Sequence, residues 1–489
     1  MKKSVKRILA LLLAALLTLT ALSCAKEEPP SGNPGNGTPA KTDAPADPDG
    51  PVEEAVETEW PRPDYSDFEL PEETGELVLY TDGSSRGAVM RPAVEIFKSL
   101  YPNVNVTYET IGEDEFDERI RTELPAGKGP DLLLFINKSV PDVYKTESTG
   151  LFEDLGGYFE ADPEIDRADF VQGVMDGMLF RGQQFIVPLH YTVPLLMTSR
   201  ALLEEVGIED PSNFENLAEA ARRYKDIHPE GTLFLDMGDT NPIFTNRQQL
   251  IRHVGIPFID YQHGEVSCDE EKLREVMDLL KLYYDPDYVE GDYGADYYKL
   301  NGNYLMHGCL LRKECLFNDF NINYSAFSIA CSALKNSGEE AVAFIPKDPD
   351  GGVTAEIIEM AAIPSASKNK LNAWRLMKIL LSDEIQSGRD KGRNGLSYFW
   401  VGLPVREDSL QKQAVYDVEY WGNSLSDAED REIFDLYMNL CTSANRARVL
   451  PGIWFRYITL ELLPYVYGEK PWNDCYKRFL NTLELYASE

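Results

Sequence analysis

The stretch Arg181–Gly207, RGQQFIVPLHYTVPLLMTSRALLEEVG, limits what this chain can fold into more than any other. An apolar strand is expected over Gln184–Leu189, a bend marked by Pro188 and Pro194, a second apolar run over Val193–Thr198, and a helix closing at Gly207. The two apolar runs bracket His190 and Tyr191, with no loop of ordinary length between them. A chain of this kind leaves one sheet and enters another through one short bend, as a segment coupling two lobes does. The same letters also suit a buried strand pair inside a single domain.

The preceding residues alternate strand and helix. Glu76–Tyr80 (ELVLY) reads as a strand, followed by a helix with Met90, Ala93, Phe97 and Leu100 on its apolar face. NVNVTYE (103–109) reads as a second strand, Asp114–Leu124 as a helix, and Leu132–Ile136 as a buried strand. This β-α-β-α-β order points to a mostly parallel sheet. Ligands of such sheets sit beyond the carboxyl ends of the strands, here Thr81–Arg86 and Asn137–Ser139. Neither AGKGP nor DGSSRG has the spacing of a phosphate-binding loop or a dinucleotide fingerprint. Further on, strands are expected at Val342–Pro346 and Glu356–Ile363, the latter beside a second crossover. Asn369–Leu381 reads as an amphipathic helix carrying Ala373, Trp374, Met377 and Leu380. GLPV (402–405) marks a third turn between lobes, and Ala414–Glu489 is expected to be helical.

The 489 residues carry a formal charge of -35. Removing residues 1–23 takes away Lys2, Lys3, Lys6 and Arg7 and no acid, leaving -39. Such a surface repels phosphate backbones and anionic bilayers, so nucleic acid is not an expected partner and membrane attachment needs an explicit anchor. The acidity also serves plain solubility. Six cysteines follow Cys24, at 268, 309, 315, 331, 441 and 475, without zinc-site spacing. Cys309 and Cys315 are the nearest pair, and both a disulfide and buried free thiols fit. The histidines are scattered, and neither metal nor cofactor is expected.

Residues 1–23 have the form of a signal peptide, with basic residues ahead of the apolar run Ile8–Leu22. That run falls short of the ~20 residues a spanning helix needs. Ser23-Cys24 after it resembles the lipobox of bacterial lipoproteins, which implies lipidation of Cys24. Ala21 and Leu22 depart from the residues usual there. Residues 24–74 are then a lipidated cysteine and a disordered tether, rich in Pro, Gly and acids.

The order of LVLYTDG, AVEIFKSLYPNVNVTYE, GKGPDLLLF, the Arg181–Gly207 stretch, SASKNKLNAWRLMKILLSDEIQ, GLPV and YGEKPWNDCYKRFLNTL resembles family 1 extracellular solute-binding proteins of ABC importers. This group includes maltose- and oligosaccharide-binding proteins, and the resemblance spans about residues 75–487. It implies an α/β, two-lobed periplasmic-binding-protein-like fold of type II, with lobes joined by two or three crossover segments. Lobe I would comprise 75–188 plus 357–405, and lobe II 189–356 plus 406–489. It further implies a monomeric, non-enzymatic protein, lipid-anchored at the cell membrane and facing outward. Such a protein passes a small solute, a sugar or oligosaccharide above all, to an ABC permease.

A sugar needs flat aromatic faces and planar polar groups. The family places an aromatic near the start of a late helix, which PGIWF and Trp454 match; a core tryptophan is the plainer alternative. Asp82 and Arg86 match a ligand-bonding position, although Asp82 is also placed to cap a helix. Asn137 follows the third strand, and His190 and Tyr191 lie at the hinge. Asp236 and Asn241 follow a second-lobe strand, and Tyr398 and Trp400 precede the last crossover, where either also suits the core. Two rival readings stay open. A polysaccharide hydrolase would need two carboxylates about 5–9 Å apart, and no nucleophile or metal motif is present. A solute-sensing receptor component would share every feature of the importer protein.

Overall fold

The computed structural model describes residues 60–83, 87–137, 139, 143–235, 250, 258–284, 307–319, 324–348, 351–388, 402–420, 424–449 and 452–488. The expected signal peptide, Cys24 and the expected tether up to residue 59 lie outside the described residues.

The body is built on two sheets. In chain order the strands are β1 (Glu76–Asp82), β2 (Asn105–Ile111), β3 (Leu132–Ile136), β4 (Val187–Thr192), β5 (Leu196–Ser199), β6 (Thr232–Leu235), β7 (Ile259–Asp260), β8 (Glu265–Val266), β9 (Cys315–Asp319), β10 (Ala341–Phe344), β11 (Thr354–Ala362), β12 (Leu403–Pro404) and β13 (Arg446–Arg448). The larger sheet runs β12-β4-β11-β3-β1-β2, with β13 added beside β11; the smaller runs β10-β5-β9-β6. β7 and β8 form a separate ribbon.

Local sequence accounts for these elements. β3 (LLLFI) is buried at every position, as a central strand covered on both faces must be. Its start is pinned by Asp131, whose carboxylate accepts from the amide of Val78 (2.7 Å), Ser367 Oγ (2.7 Å) and Asn369 Nδ2 (2.9 Å). β2 is polar and partly exposed, as befits the sheet edge. In the helix Gly87–Leu100 the expected face holds for Met90, Ala93 and Phe97, all fully buried, but Leu100 is exposed at the helix end. The helix Arg200–Val206 begins at Ser199, whose Oγ accepts from the amide of Leu202 (3.2 Å). It ends at Gly207, whose φ of 66° allows the amide of Ile208 to bond Leu203 (2.9 Å).

The Arg181–Gly207 stretch changes sheet. β4 belongs to the larger sheet and β5 to the smaller, and only Val193, Pro194 and Leu195 separate them. β10 and β11 make the reverse passage through residues 345–353. β12 pairs with β4, and the helix Glu407–Tyr420 leaves from it. Ser409 and Gln413 of that helix bond Asp383 (2.9 Å) and the Gln386 carbonyl (2.7 Å) on the larger-sheet side. Residues 189–192, assigned to lobe II by sequence, thus run in the larger sheet, as do Thr354–Glu356.

Residues 60–74 fall within the stretch that composition marks as a tether. From Trp60 the chain lies against the body. Arg62 pairs with Asp176 (2.6 Å), Tyr65 donates to Asp154 Oδ2 (2.5 Å), and the Phe68 ring packs on Tyr158 at 4.9 Å. Gly156 and Gly157 make room for this strap: a Cβ at either would lie 2.5 Å from the rings of Tyr65 and Phe68. Single aromatic anchors without periodicity leave no helical or strand pattern to detect.

Under the strap lies Trp374, fully buried among Tyr158 (5.4 Å) and Phe159 (5.0 Å), with Nε1 donating to Asp162 Oδ2 (2.8 Å). Burial opposes charge on Asp162, but Lys378, the amide of Glu164 and Trp374 together hold its carboxyl below the ordinary range. A carboxyl lowered on folding stabilises above its ordinary value near 4 and loses that contribution as pH falls through the folded value. Trp374→Ala is expected to cost about 3–5 kcal/mol in urea denaturation. Asp162→Asn should flatten the loss of stability below about pH 4 relative to the parent chain.

Candidate functional site

Strand register locates the site. β1, β2 and β3 are parallel, and β11 runs antiparallel to β3 with Glu359 opposite Ile136. β4 runs antiparallel to β11, with Thr192 opposite Glu356. The carboxyl ends of β1, β3 and β4 therefore share one edge of the larger sheet, the edge from which the chain crosses over. In the smaller sheet Leu196, at the start of β5, stands opposite both Phe344 and Asp319, and Asn318 stands opposite Leu235. The carboxyl ends of β6, β9 and β10 therefore point back to the same crossovers. Both sheets bring their carboxyl strand ends to one place, the position at which ligands of open α/β sheets sit.

On the larger-sheet side, Asp82 closes β1. It is fully buried, and its Oδ2 accepts from the amide of Ile136 (2.8 Å) and from Ser139 Oγ (2.6 Å), so it clasps the ends of β1 and β3 together. Arg86 lies outside the described residues, as do the three positions where an Asp82 cap of the next helix would be seen. Asn137 follows β3. Its amide nitrogen Nδ2 donates to Glu356 Oε1 (3.1 Å) and its backbone amide to the Ile358 carbonyl (3.1 Å). Glu356 stands opposite both Thr192 on β4 and Arg448 on β13, at the junction of three strands.

His190 and Tyr191 separate. Adjacent strand residues face opposite ways, and the two make different contacts. His190 Nδ1 lies 2.6 Å from Glu359 Oε2, both side chains being buried, and β11 is bulged on either side of Glu359. An ionised Glu359 places the ring proton on Nδ1. Tyr191 is fully buried and donates to the Cys441 carbonyl (3.0 Å), which fixes the end of the helix Ala428–Cys441 against β4. Burial drives its phenol far above the usual range. Tyr191 is thus a packing and anchoring residue in this structure.

Trp454 is also packed. It is 2 % exposed, with Phe258 at 5.7 Å, Tyr457 at 5.8 Å and Tyr486 edge-on at 4.9 Å. So little exposure leaves no open ring face for a solute here, and the plainer core reading accounts for it. Asp236, Asn241, Tyr398 and Trp400 lie outside the described residues. On the smaller sheet, buried Asn318 and Asp319 end β9, and Asn318 Oδ1 accepts from Cys315 Sγ (3.0 Å).

Glu356, Glu359 and Asn318 were missed by sequence reading. The signal for the first two was present: two acids inside the otherwise apolar run EIIEMAAI. Asp82, Asn137, Glu356, His190 and Glu359 thus give this part of the larger sheet buried carboxylates, an amide and an imidazole, each bonded within the protein. Among the described residues no group of three or more His, Cys, Asp or Glu is arranged to hold a metal ion, and no helix is long and apolar enough to cross a membrane.

Removing the Asp82 clasp orphans a buried amide. Asp82→Ala is expected to lower unfolding free energy by about 1–3 kcal/mol in chemical denaturation, and Ser139→Ala by less, since Ile136 keeps its acceptor.

Residues 81–254 match the family of bacterial extracellular solute-binding proteins. No curated protein matches the sequence. Among solved structures, the chain is similar to a periplasmic oligogalacturonide-binding protein from Yersinia enterocolitica. The two are 18% identical, with 84% of this chain and 99% of that one covered and a TM-score of 0.52. A cyclic α-maltosyl-1,6-maltose-binding protein from Arthrobacter globiformis gives 16% identity, 85% and 99% coverage, and a TM-score of 0.51. A de novo designed cysteine esterase gives 18%, 85% and 100%, and 0.53. The fold is the two-lobed α/β fold of solute-binding proteins, as the sequence resemblance implied.

Proposed function

We propose that this protein is the solute-binding component of an ABC importer, tethered outside the membrane through a lipid on Cys24. It captures a sugar or oligosaccharide between its two lobes and presents it to the permease. The observation that carries this reading is the shared orientation of the sheets: the carboxyl ends of β1, β3 and β4 and those of β6, β9 and β10 converge on the same short crossovers. A solute entering there meets polar groups from both halves, and contact with both favours closure. The family match over residues 81–254 supports the solute-binding part. The printed ligands of the two natural neighbours, oligogalacturonide and a cyclic maltosyl-maltose, support the carbohydrate class.

On the larger-sheet side, Asn137, Glu356 and His190 are the proposed contacts. Asp82 acts behind them by holding the ends of β1 and β3. Binding needs no bond-making step, so the bound solute is released unchanged.

A thermal-shift screen of sugars, oligosaccharides, peptides and polyamines tests this. A true solute at 100 times its dissociation constant should stabilise the protein by about 2.7 kcal/mol, and chromatography should recover it intact. Asn137→Ala should weaken the best hit by about tenfold or more, ~1.4 kcal/mol. Conversion of the hit to product, or no stabilisation by any carbohydrate, would overturn the reading. Cys24→Ser should move the protein from the membrane fraction of expressing bacteria to the soluble or secreted fraction.

A further inference from the structure

Besides the crossovers, the two halves meet where two hairpin tips touch. The first tip is the turn from Phe180 to Gln183, whose ends exchange backbone hydrogen bonds of 2.9 and 3.0 Å. Both central residues are left-handed, Arg181 at φ 50° and Gly182 at φ 79°. Such a two-residue turn ordinarily carries asparagine, aspartate or glycine, so an arginine in it is strained. This tip belongs to the larger-sheet half. It leads into β4, and Asp154 accepts from Gln183 Nε2 (2.9 Å) and from the amide of Gln184 (3.1 Å). The second tip is that of the β7–β8 ribbon, closed by the amide of Gly264 on the Asp260 carbonyl (2.7 Å). The ribbon leads into the helix Glu270–Leu282, which packs on the helix Phe214–Ile227 in the smaller-sheet half. Tyr283 donates to the Ala221 carbonyl (2.9 Å), and Tyr224 to the Lys313 carbonyl (2.8 Å) just ahead of β9.

Gln262 joins the two tips. Its Oε1 accepts from the Arg181 amide (2.8 Å), and its carbonyl accepts from Arg181 Nε (3.1 Å) and Nη2 (3.0 Å). Its Nε2 donates to the Leu179 carbonyl (3.1 Å). The residues on either side of Gln262 add ring contacts. Tyr261 stacks on Tyr144 of the helix Val143–Ser148 at 4.3 Å, and the His263 ring lies 6.3 Å from Trp60 of the strap. The Arg181 guanidinium sits over the same Trp60 ring at 5.5 Å. The strap passes so close that a Cβ on Gly182 would lie 2.4 Å from the Pro61 carbonyl. Backbone strain persists where surrounding contacts hold it, and at Arg181 those contacts come from the other half of the molecule.

We infer that the Arg181 turn and the Gln262 tip, backed by Trp60, form a clasp that fixes the resting angle between the two halves. The crossover leaves from the carboxyl end of β4, whereas the Arg181 turn precedes its amino end. The halves are therefore held at two separate points. Halves joined at the crossover alone are free to rotate about it. A second point of attachment stops that rotation until its hydrogen bonds break or slide, so any change of angle begins at the clasp. The strap gives the segment next to the expected tether a part in this hold, through Trp60.

The test is pulsed electron resonance on the full chain without any solute, with spin labels carried on non-canonical residues at the exposed positions 118 and 204, one in each half. Arg181→Gly removes the guanidinium and keeps the turn, because glycine takes a left-handed φ freely. Gln262→Ala removes Oε1 and Nε2. The parent chain should give one narrow distance distribution. Each variant should widen or displace it, the double variant most, while the distance between 118 and a label at 95 in the same half stays as in the parent. A double variant whose 118–204 distribution coincides with the parent's would overturn the proposal, as would a parent distribution already as wide as the double variant's. Amide hydrogen exchange of the parent chain decides without any variant: the Arg181 amide should exchange slowly, and exchange at the rate of an unprotected loop would overturn the clasp. Neither measurement depends on finding a solute, so the clasp and the solute-binding reading stand or fall separately.

Discussion

Everything about this protein's working geometry depends on how short the first crossover is. The four Cα steps from Thr192 to Leu196 span at most about 14 Å when fully extended. The last residue of β4 and the first of β5 can therefore never move far apart. The second passage, through residues 345–353, is longer but ties the neighbouring strands β10 and β11 at the same edge. Two sheets held this way can change their mutual angle, but cannot separate. That constraint also fixes which loops meet, because strand direction within each sheet then follows from its pairing with β4 or β5.

The polar groups at the junction fit this constraint. A larger-sheet edge made only of apolar residues would offer a solute no side-chain hydrogen bond. Instead β1, β3 and β11 end or begin in Asp82, Asn137 and Glu356, and Glu359 pairs with His190 at the bulge of β11. Buried polar groups are costly unless bonded, and these are bonded to one another across strands. These bonds stiffen this end of the sheet while keeping it polar. Tyr191 performs the complementary task on the other face of β4, where its hydroxyl holds the C-terminal helices to the larger sheet.

Most of the architecture was legible in the sequence because it rests on patterns with a physical cause. The sheet change in Arg181–Gly207 followed from two apolar runs with too few residues between them for a loop. Gly207 marked the end of the next helix, while its Ser199 cap emerged only in the structure. The amphipathic helix around Trp374 followed from its 3.6-residue spacing, and all four of its named apolar residues are fully buried. The site was less legible. Glu356 and Glu359 read as ordinary strand residues, since only the pairing of β11 with β3, β4 and β13 reveals where their carboxylates meet a partner. Trp454 matched the family's aromatic position in sequence, yet nothing in a linear pattern shows that Phe258, Tyr457 and Tyr486 converge on it. The strap of Trp60, Arg62, Tyr65 and Phe68 escaped notice because its anchors are isolated and their receptors, Asp176, Asp154 and Gly157, are distant in the chain.

The central claim is that the two sheets rotate about the crossovers when a solute binds. Pulsed electron resonance measures this directly, with spin labels carried on non-canonical residues at the exposed positions 118 and 204, one in each half. The account predicts a shorter distance between labels at saturating solute, and an unchanged distance between 118 and a second label at 95 in the same half. A distance between 118 and 204 that stays the same with and without bound solute would contradict it.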